Sequence, residues 1–165
     1  SSDPANVPGE ILVRGANVFL GYFKNDDATD SVFTDDGWFK TGDMGVIDED
    51  GCLFIKGRTK CMILGPSGQN IYPEEVETVI NSQPYVVDSL VVEDNGGLTA
   101  LIYPDFAQGA KDGMNQDVFI KFMEDTLPEL NKELPNYAKL KKIEIMSEDF
   151  ERTPKKSIKR YLYQR

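Results

Sequence analysis

The sequence contains no histidine among its 165 residues, which excludes catalysis by imidazole and metal sites built from histidine ligands. Cysteine is scarce as well. Cys52 and Cys61 each lie in an apolar run, so we expect buried, reduced thiols rather than a disulfide framework or a metal site. No apolar stretch approaches the length of a membrane-spanning helix, and no signal-peptide pattern is present. The default expectation is a cytoplasmic protein.

The charge balance is acidic, with 18 basic against 28 acidic residues and a net charge of −10. This balance argues against a general affinity for nucleic acid or for an anionic membrane surface. Half of the basic residues nevertheless cluster near the C-terminus: Lys139, Lys141, Lys142, Arg152, Lys155, Lys156, Lys159, Arg160 and Arg165. Such a cluster indicates either a solvated helix face or a small anion-binding site.

The first third of the chain has the pattern of short antiparallel strands. Met44–Ile47 and Cys52–Lys56 are apolar runs joined by Asp48-Glu49-Asp50-Gly51, which is typical of a hairpin turn. Turn signals at Asp26-Asp27 and Asp35-Asp36-Gly37 flank a polar stretch. We expect a small antiparallel sheet or barrel here, and 40% hydrophobic residues are enough for a core.

The rest of the chain predicts an α+β unit that begins near Arg58 to Lys60. In chain order its predicted elements are a helix from Pro73, a hairpin around Asp94-Asn95-Gly96-Gly97, a helix from Asn115, a strand at Lys142–Met146 and a short helix capped by Thr153-Pro154. The predicted fold class is therefore α+β. A small antiparallel piece is followed by a domain with a short three-stranded sheet and helices.

Residues 57–77, GRTKCMILGPSGQNIYPEEVE, join a strand, a turn and a helix start. The apolar run Cys61–Leu64 leads into the turn Gly65–Gly68, and Pro73 with its acidic neighbours begins a helix. Taken alone, this order is compatible with ordinary scaffolding.

Two charged residues precede this segment, and each has two interpretations. Asp43 in Thr41-Gly42-Asp43 is either a turn former or a fixed carboxylate that accepts hydrogen bonds from vicinal ribose hydroxyls. Arg58 is either one member of a surface ion pair or a second contact to the same ligand. Neither residue is specific by itself.

Four segments in order and spacing resemble the later motifs of the adenylate-forming superfamily: residues 9–22 (GEILVRGANVFLGY), 38–45 (WFKTGDMG), 57–77 and 152–160 (RTPKKSIKR). That superfamily contains acyl-CoA synthetases, firefly-type luciferases and the adenylation domains of peptide synthetases. The resemblance implies that residues 1–58 are the distal, barrel-like end of an N-terminal AMP-binding domain. Residues 59–165 would form the mobile C-terminal domain.

The resemblance also implies a reaction. Members join a carboxylate to AMP with release of pyrophosphate, then pass the acyl group to a thiol, and one domain rotates between the two steps. Asp43 and Arg58 resemble the ribose contacts, and Lys60 the hinge. The loop Gly65–Asn70, with Gly68, Gln69 and Asn70, resembles the CoA-side loop. ATP, CoA, Mg²⁺ and a fatty acid are implied for the full-length enzyme, and no ligand or protein-held metal is expected in the fragment.

The last motif departs from the family pattern. Ser157 stands where the family has an essential lysine, and Lys155 and Lys156 lie just upstream. One of these two takes over that role, or the step uses other cations, or the protein adenylates poorly, or the basic end is only a solvated surface. Because lysines in a first helical turn oppose the helix dipole, a role in helix stability is disfavoured and a phosphate site beside free N–H groups is favoured.

A lysine at the hinge, the ILGPSGQNIYPEEVE segment and the TPxxxIKR form most resemble long-chain fatty acyl-CoA synthetases. Another ligase acting on a different carboxylate and a stand-alone, non-catalytic binding module remain alternatives. No glycine-rich phosphate loop such as S-G-T-T-G is present, and the chain starts at Ser1 without Met. We therefore expect a C-terminal fragment, inactive without its N-terminal domain. Peripheral membrane association is compatible only with the full-length enzyme.

Overall fold

The computed structural model describes residues 3–165, so the chain start at Ser1 and Ser2 lies outside the described residues. The chain separates into two compact units that divide between Met62 and Ile63. In the described part, no helix is long and apolar enough to cross a membrane.

The first unit is built on a three-stranded antiparallel sheet in the order β1-β2-β3. Its strands are β1 (Gly9–Val13), β2 (Phe39–Ile47) and β3 (Leu53–Arg58). The predicted hairpin is confirmed, because β2 pairs with β3. The Asp48 side chain closes its turn by accepting the Cys52 N–H at 2.8 Å.

A short helix, α1 (Asp26–Val32), occupies the stretch for which the sequence predicted turns. The Asn25 side chain caps it by accepting the Ala28 N–H at 3.1 Å, and Asp26 and Asp27 lie in its first turn. Asn and Asp favour helix N-termini as well as turns, so the same residues fit both structures.

The prediction that both thiols are buried is wrong. Cys52 is exposed and Cys61 is half-buried. The apolar run that contains Cys52 continues into β3, where Leu53, Phe54 and Ile55 are also exposed. An apolar run therefore does not guarantee burial on this sheet.

The second unit contains the predicted three-stranded sheet, made of β6 (Val86–Asp94), β7 (Gly97–Pro104) and β8 (Leu140–Ile145). A two-stranded ribbon, β4 (Ile63–Leu64) and β5 (Asn70–Ile71), precedes it. The helices are α2 (Pro73–Asn81), α3 (Phe106–Lys111), α4 (Gln116–Glu124) and α5 (Leu127–Glu133). The α+β class is confirmed.

Strand β8 runs parallel to β7, whereas β6 runs antiparallel to it. A parallel neighbour requires a long crossover, which here contains α3, α4 and α5. Because both faces of this sheet are covered, residues alternate between two apolar clusters. Val91, Ala100 and Ile102 pack with residues of α2, α4 and α5, whereas Leu90, Val92 and Leu101 pack with Phe150.

The C-terminal segment, residues 150–165, contributes to the second cluster through Phe150, Ile158 and Tyr163. The Phe150 and Tyr163 rings meet edge to face with their centroids 5.3 Å apart. Phe150 is 3% exposed, and full burial of such a side chain stabilises a fold by about 1.5–3 kcal/mol. This segment is therefore part of the packed domain.

The helix predicted after Thr153-Pro154 is absent from the described residues. Instead, Arg152 and Ile158 form an antiparallel bridge, and the Thr153 N–H donates to the Ser157 carbonyl at 2.8 Å. A single 3₁₀ turn, Arg160–Leu162, follows. The extended bridge places Ile158 against the second cluster, so tertiary packing overrides the local helix signal.

An ion-pair cluster ties the last residue to the sheet. The Arg165 guanidinium donates to Glu144 on β8 and, at 3.1 Å, to Asp94 on β6. Lys142 also donates to Glu144, at 2.8 Å. These hydrogen bonds, chiefly the one from Arg165, lower the pKa of the Glu144 carboxyl to about 2.

We expect Arg165→Gln to lower stability at neutral pH but not in strong acid. A carboxyl whose pKa falls on folding stabilises the protein above its unfolded pKa, so the contribution is lost as the pH falls from about 5 to about 2. The pair is partly exposed and therefore screened by solvent, so the loss of stability at neutral pH should be small. Thermal unfolding of both proteins across this pH range measures the difference.

The matched control is Lys121→Gln, which removes the same charge from an exposed position on α4. The difference in stability between Lys121→Gln and the wild type should not change with pH over the range in which Glu144 titrates. A difference between Arg165→Gln and wild type that stays constant throughout the acid range would contradict this prediction.

Candidate functional site

Asp43 and Arg58 are brought together in the first unit. They are register partners on β2 and β3, and their side chains form an ion pair of 2.7 Å between Nη1 and Oδ1. The Asp43 side chain is 31% exposed and that of Arg58 is 55% exposed. An ion pair this exposed contributes about 0–1 kcal/mol, so fold stability alone does not explain it.

The backbone beside this pair leaves room for the guanidinium. Gly42 has φ +73°, and a Cβ there would lie 3.3 Å from Nη2 of Arg58. Its N–H donates to Glu10 of β1 at 3.1 Å. The strand end therefore presents a carboxylate acceptor and a guanidinium donor side by side, an arrangement that complements a pair of hydroxyl groups.

Lys60 lies two residues after Arg58, in the exposed 3₁₀ turn Thr59–Cys61. This turn directly precedes the point at which the two compact units divide. Short 3₁₀ turns of this kind are frequent connectors between larger elements, so the turn is compatible with a hinge but does not by itself indicate one.

The loop Gly65–Asn70 connects β4 and β5 in the second unit. The Gly65 N–H donates to the Gln69 carbonyl at 2.8 Å, and the Gly68 N–H donates to the Gly65 carbonyl at 2.9 Å. Gly68 has φ +82° and nothing within 4 Å of its Cβ position. The loop is therefore a tight turn, and Gly68 presents bare backbone toward open space.

A cavity of about 420 Å³ lies beside this loop. Its lining includes the loop with Leu64, the side chains of Tyr137, Lys139 and Lys141, and one acidic residue, Glu93. The Lys141 ammonium also donates to the Gly96 carbonyl at 3.3 Å. Two lysines and an aromatic ring in one cavity can hold a ligand with an anionic end and a planar ring.

Sequence reasoning did not assign Tyr137, Lys139 and Lys141 to a site. The signal that could have identified them is the basic cluster beginning at Lys139, for which an anion site was one of two interpretations. Their proximity to the loop depends on the parallel placement of β8, and no local pattern contains that information.

Lys155 and Lys156 lie at the exposed tip of the Arg152–Ile158 hairpin, with Ser157 beside them. Lys156 has φ +65°, a backbone conformation that favours glycine. No helix begins here, so the argument that these lysines oppose a helix dipole is wrong. Within residues 3–165, neither ammonium forms an ion pair with a carboxylate.

The neighbouring basic residues of the C-terminal segment are paired. Arg152 donates to Asp88 at 2.7 Å and to Asp149 at 3.0 Å, and Lys159 donates to Glu151 at 3.0 Å. The hydrogen bond to Glu151 raises the pKa of Lys159. The two tip lysines thus differ from Arg152 and Lys159, because their charges remain available to a ligand.

Arg160 pairs with Glu77 of α2, a residue that sequence reasoning did not select. Glu77 is only 8% exposed, and burial raises the pKa of its carboxyl although the nearby guanidinium opposes this effect. The partly buried Glu74 carboxylate lies 3.8 Å from the same guanidinium. The acidic residues after Pro73 indicated a helix start, but not this pair.

The described residues contain no group of three or more Cys, Asp or Glu side chains that could hold a metal ion. The candidate site residues are divided between the two compact units. Asp43, Arg58 and Lys60 lie in the first unit. The loop, the cavity and the lysine tip lie in the second.

A family model described as "AMP-binding enzyme C-terminal domain" matches residues 61–165. The long-chain-fatty-acid–CoA ligase FadD15 of Mycobacterium tuberculosis is 49% identical over 86 residues, which are 52% of this chain and 14% of that protein. The 2-succinylbenzoate–CoA ligase of Bacillus cytotoxicus is 47% identical over 89 residues, which are 54% of this chain and 18% of that protein. The match thus spans less than a fifth of either relative.

Solved structures show the same relationship. ATP-bound MatB from Rhodopseudomonas palustris superposes with a TM-score of 0.72 at 33% identity, covering 97% of this chain and 30% of that one. The adenylation domain of a carboxylate reductase from Mycobacterium chelonae has a TM-score of 0.82 at 21% identity, which shows a shared fold. Because the family model covers more than half of the chain, the protein belongs to the AMP-binding enzyme C-terminal domain family of the adenylate-forming superfamily, which confirms the resemblance seen in the sequence.

Proposed function

We propose that this chain is the C-terminal part of an AMP-forming acyl-CoA ligase that acts on long-chain fatty acids. The observation that carries the proposal is the Asp43–Arg58 pair. A partly exposed acceptor in β2 lies beside an exposed donor at the end of β3, where the pair adds little to stability. In this proposal Asp43 accepts hydrogen bonds from the ribose hydroxyls of ATP, and Arg58 contacts the same ribose.

In the proposed first step, a carboxylate oxygen attacks the α-phosphorus and the bond to pyrophosphate breaks. Negative charge then develops around the α-phosphate, where a cation lowers the barrier. Lys156 at the hairpin tip supplies that cation in place of the lysine that Ser157 replaces. Its ammonium makes no ion pair with a carboxylate of residues 3–165, so binding a phosphate does not require breaking one.

In the proposed second step, the thiol of CoA attacks the acyl carbonyl carbon, the bond to AMP breaks, and the thiol proton passes to solvent. Gly68, Gln69 and Asn70 border the thiol arm. The cavity lined by Lys139 and Lys141 receives the phosphorylated end of CoA. Rotation at Lys60 exchanges the two arrangements.

The proposed domain assignment places residues 1–58 at the end of an N-terminal AMP-binding domain. Leu53, Phe54 and Ile55 are half-exposed or more on β3, which supports a sheet that further parts of the same domain cover. ATP, CoA and Mg²⁺ belong to the complete enzyme, and its proposed location is the cytoplasm. The assignment of ATP and Mg²⁺ is supported by O-succinylbenzoate–CoA synthetase (MenE) from Bacillus subtilis, which was solved in complex with ATP and magnesium ion. That structure is 30% identical to this chain with a TM-score of 0.76, covering 95% of this chain and 30% of that one.

The most specific part of the proposal is the identity of the carboxylate substrate. A long-chain ligase and a 2-succinylbenzoate ligase are almost equally similar to this chain, so support for a fatty acid rests on the hinge lysine and the TPxxxIKR form. We expect the complete enzyme to catalyse ATP–pyrophosphate exchange fastest with palmitate, compared with octanoate, 4-coumarate and 2-succinylbenzoate.

The 165-residue chain alone should show no exchange, because its residues would provide only part of the nucleotide site. Faster exchange with either aromatic acid would contradict the fatty-acid assignment. Absence of exchange with every carboxylate would contradict the ligase proposal and favour a non-catalytic module.

Lys156→Gly separates stability from catalysis. Glycine relieves the left-handed backbone strain at φ +65°, so we expect a gain of about 1 kcal/mol in the free energy of unfolding. The same variant should lose at least about 100-fold in the rate of pyrophosphate exchange in the complete enzyme, as expected for one transition-state cation.

Lys155→Gly is the matched stability control, since Lys155 is not among the positive-φ residues and glycine there should cost about 0.5–1 kcal/mol. Lys121→Gln controls for charge in the exchange assay. Unchanged exchange in Lys156→Gly would contradict the assignment, and a loss confined to Lys155→Gly would transfer it to that residue.

Replacing both cavity lysines, Lys139→Gln with Lys141→Gln, should raise the KM for CoA by about tenfold or more through loss of charge-assisted hydrogen bonds. Pyrophosphate exchange should be unchanged. Pantetheine, which lacks the nucleotide, should react equally well with variant and wild type. Thioester formation from the preformed acyl-adenylate measures both acceptors.

The matched control is Lys142→Gln on the same strand, whose ammonium pairs with Glu144 and does not line the cavity. An equal loss with CoA and pantetheine would contradict a role in binding the nucleotide. A rise in the KM for CoA in Lys142→Gln equal to that in the double variant would contradict it as well.

A further inference from the structure

Glu77 connects helix α2 to an edge of the sheet. Strand β6 is at that edge, where backbone groups on one side lack a neighbouring strand. The Glu77 Oε1 atom accepts the Val91 N–H at 2.7 Å, and Oε2 accepts from the Arg160 guanidinium. Both oxygens of this buried carboxylate are therefore engaged.

Arg160 reaches this carboxylate from the opposite layer of the domain. Helix α2 packs on the face of β6 that carries Val91, whereas the C-terminal segment packs on the face that carries Leu90 and Val92. The Arg160–Glu77 pair thus joins the two layers around the edge of the sheet. Arg152 adds a second attachment to this strand through Asp88, at 2.7 Å.

The charges around this pair are not balanced locally. Glu74 places a second carboxylate 3.8 Å from the guanidinium, and its Oε2 atom is buried with no hydrogen-bond partner among the described residues. A buried ion pair often stabilises a fold no more than an apolar pair of similar size. What this pair does supply is a defined geometry between two segments.

The two segments are the C-terminal segment and helix α2. Each adjoins a group that the proposed function assigns to a different half-reaction. Arg160 follows Lys156 by four residues, and the Arg152–Ile158 bridge lies between the hairpin tip and the ion pair. On the other side, α2 begins directly after β5 and the loop Gly65–Asn70. The ion pair therefore connects the segment that carries the lysine tip to the helix that follows the loop Gly65–Asn70.

We propose that Arg160 and Glu77 are positioning residues, whose ion pair around the edge of β6 holds the Lys156 tip in a fixed relation to the loop Gly65–Asn70. This role rests on the proposed function for its catalytic consequence, but its structural part concerns the chain alone. Arg160 acts through Lys156 and contacts no substrate.

Amide hydrogen exchange of the 165-residue chain tests the structural part. In Arg160→Gln, protection of the Thr153 and Lys156 amides should fall about tenfold or more relative to the Ala100 amide of β7, because a charge-assisted anchor is lost. The control Lys159→Gln removes an adjacent exposed pair and should leave that ratio unchanged. A fall shared equally by tip and β7 amides would overturn the proposal.

Arg160→Lys keeps the charge but not the planar fork, so it should restore part of the protection. It also serves as the test variant if Arg160→Gln does not fold. Two results together would overturn the role of this pair. They are tip protection in Arg160→Lys equal to that of the wild type, and an unchanged ratio of tip to Ala100 protection in Glu77→Gln, as expected for Lys159→Gln.

Kinetics of the complete enzyme test the catalytic consequence. Arg160→Gln should lower kcat for pyrophosphate exchange about tenfold or more while KM for ATP stays within about threefold, with partial rescue in Arg160→Lys. A change in KM alone would overturn the positioning role. If the wild type shows no exchange while the tip amides respond as expected, the proposed function fails and the structural coupling stands.

Discussion

The three-stranded sheet of the second unit has two apolar faces, and the rest of that unit is arranged to cover both. Helices α2, α4 and α5 cover the face with Val91, and the C-terminal segment covers the face with Leu90. Since the sheet has only three strands, its edge β6 lies close to both layers. That closeness allows Arg160 to reach Glu77 around the edge. The two layers that cover the sheet are therefore also joined to each other, through an ion pair between the C-terminal segment and α2.

The same arrangement determines which basic residues near the C-terminus pair with carboxylates. Arg152 and Arg165 pair with carboxylates of the sheet, so they attach the C-terminal segment to it, whereas Lys159 pairs with Glu151 within the segment. Lys155 and Lys156 project at the hairpin tip beyond those partners. In the proposed assignment, in which Ser157 stands in place of a catalytic lysine, the tip thus still presents cations next to it, in a turn whose backbone at Lys156 has a conformation that favours glycine.

Elements with strong local signals could be predicted. The hairpin closed by Asp48, the helix after Pro73 and the helix capped by Asn115 follow from turn residues, capping residues and apolar spacing. The predictions failed where one local signal fits two structures. Asn25-Asp26-Asp27 fits a turn or a helix start, and the structure has the helix, capped locally by Asn25. Thr153-Pro154 fits a cap or a hairpin, and the distant contact of Ile158 with the second apolar cluster favours the hairpin.

By itself, the sequence determined the α+β class and the family, because ordered motifs and turn chemistry are local in the chain, and it proposed Asp43, Arg58 and Lys60 as candidate residues. Tertiary structure alone decided which of these groups meet. It placed Asp43 against Arg58, Lys139 beside the glycine loop, and Arg160 on Glu77. Such pairings depend on strand register, on the parallel crossover to β8 and on burial around an edge strand, which no local pattern specifies.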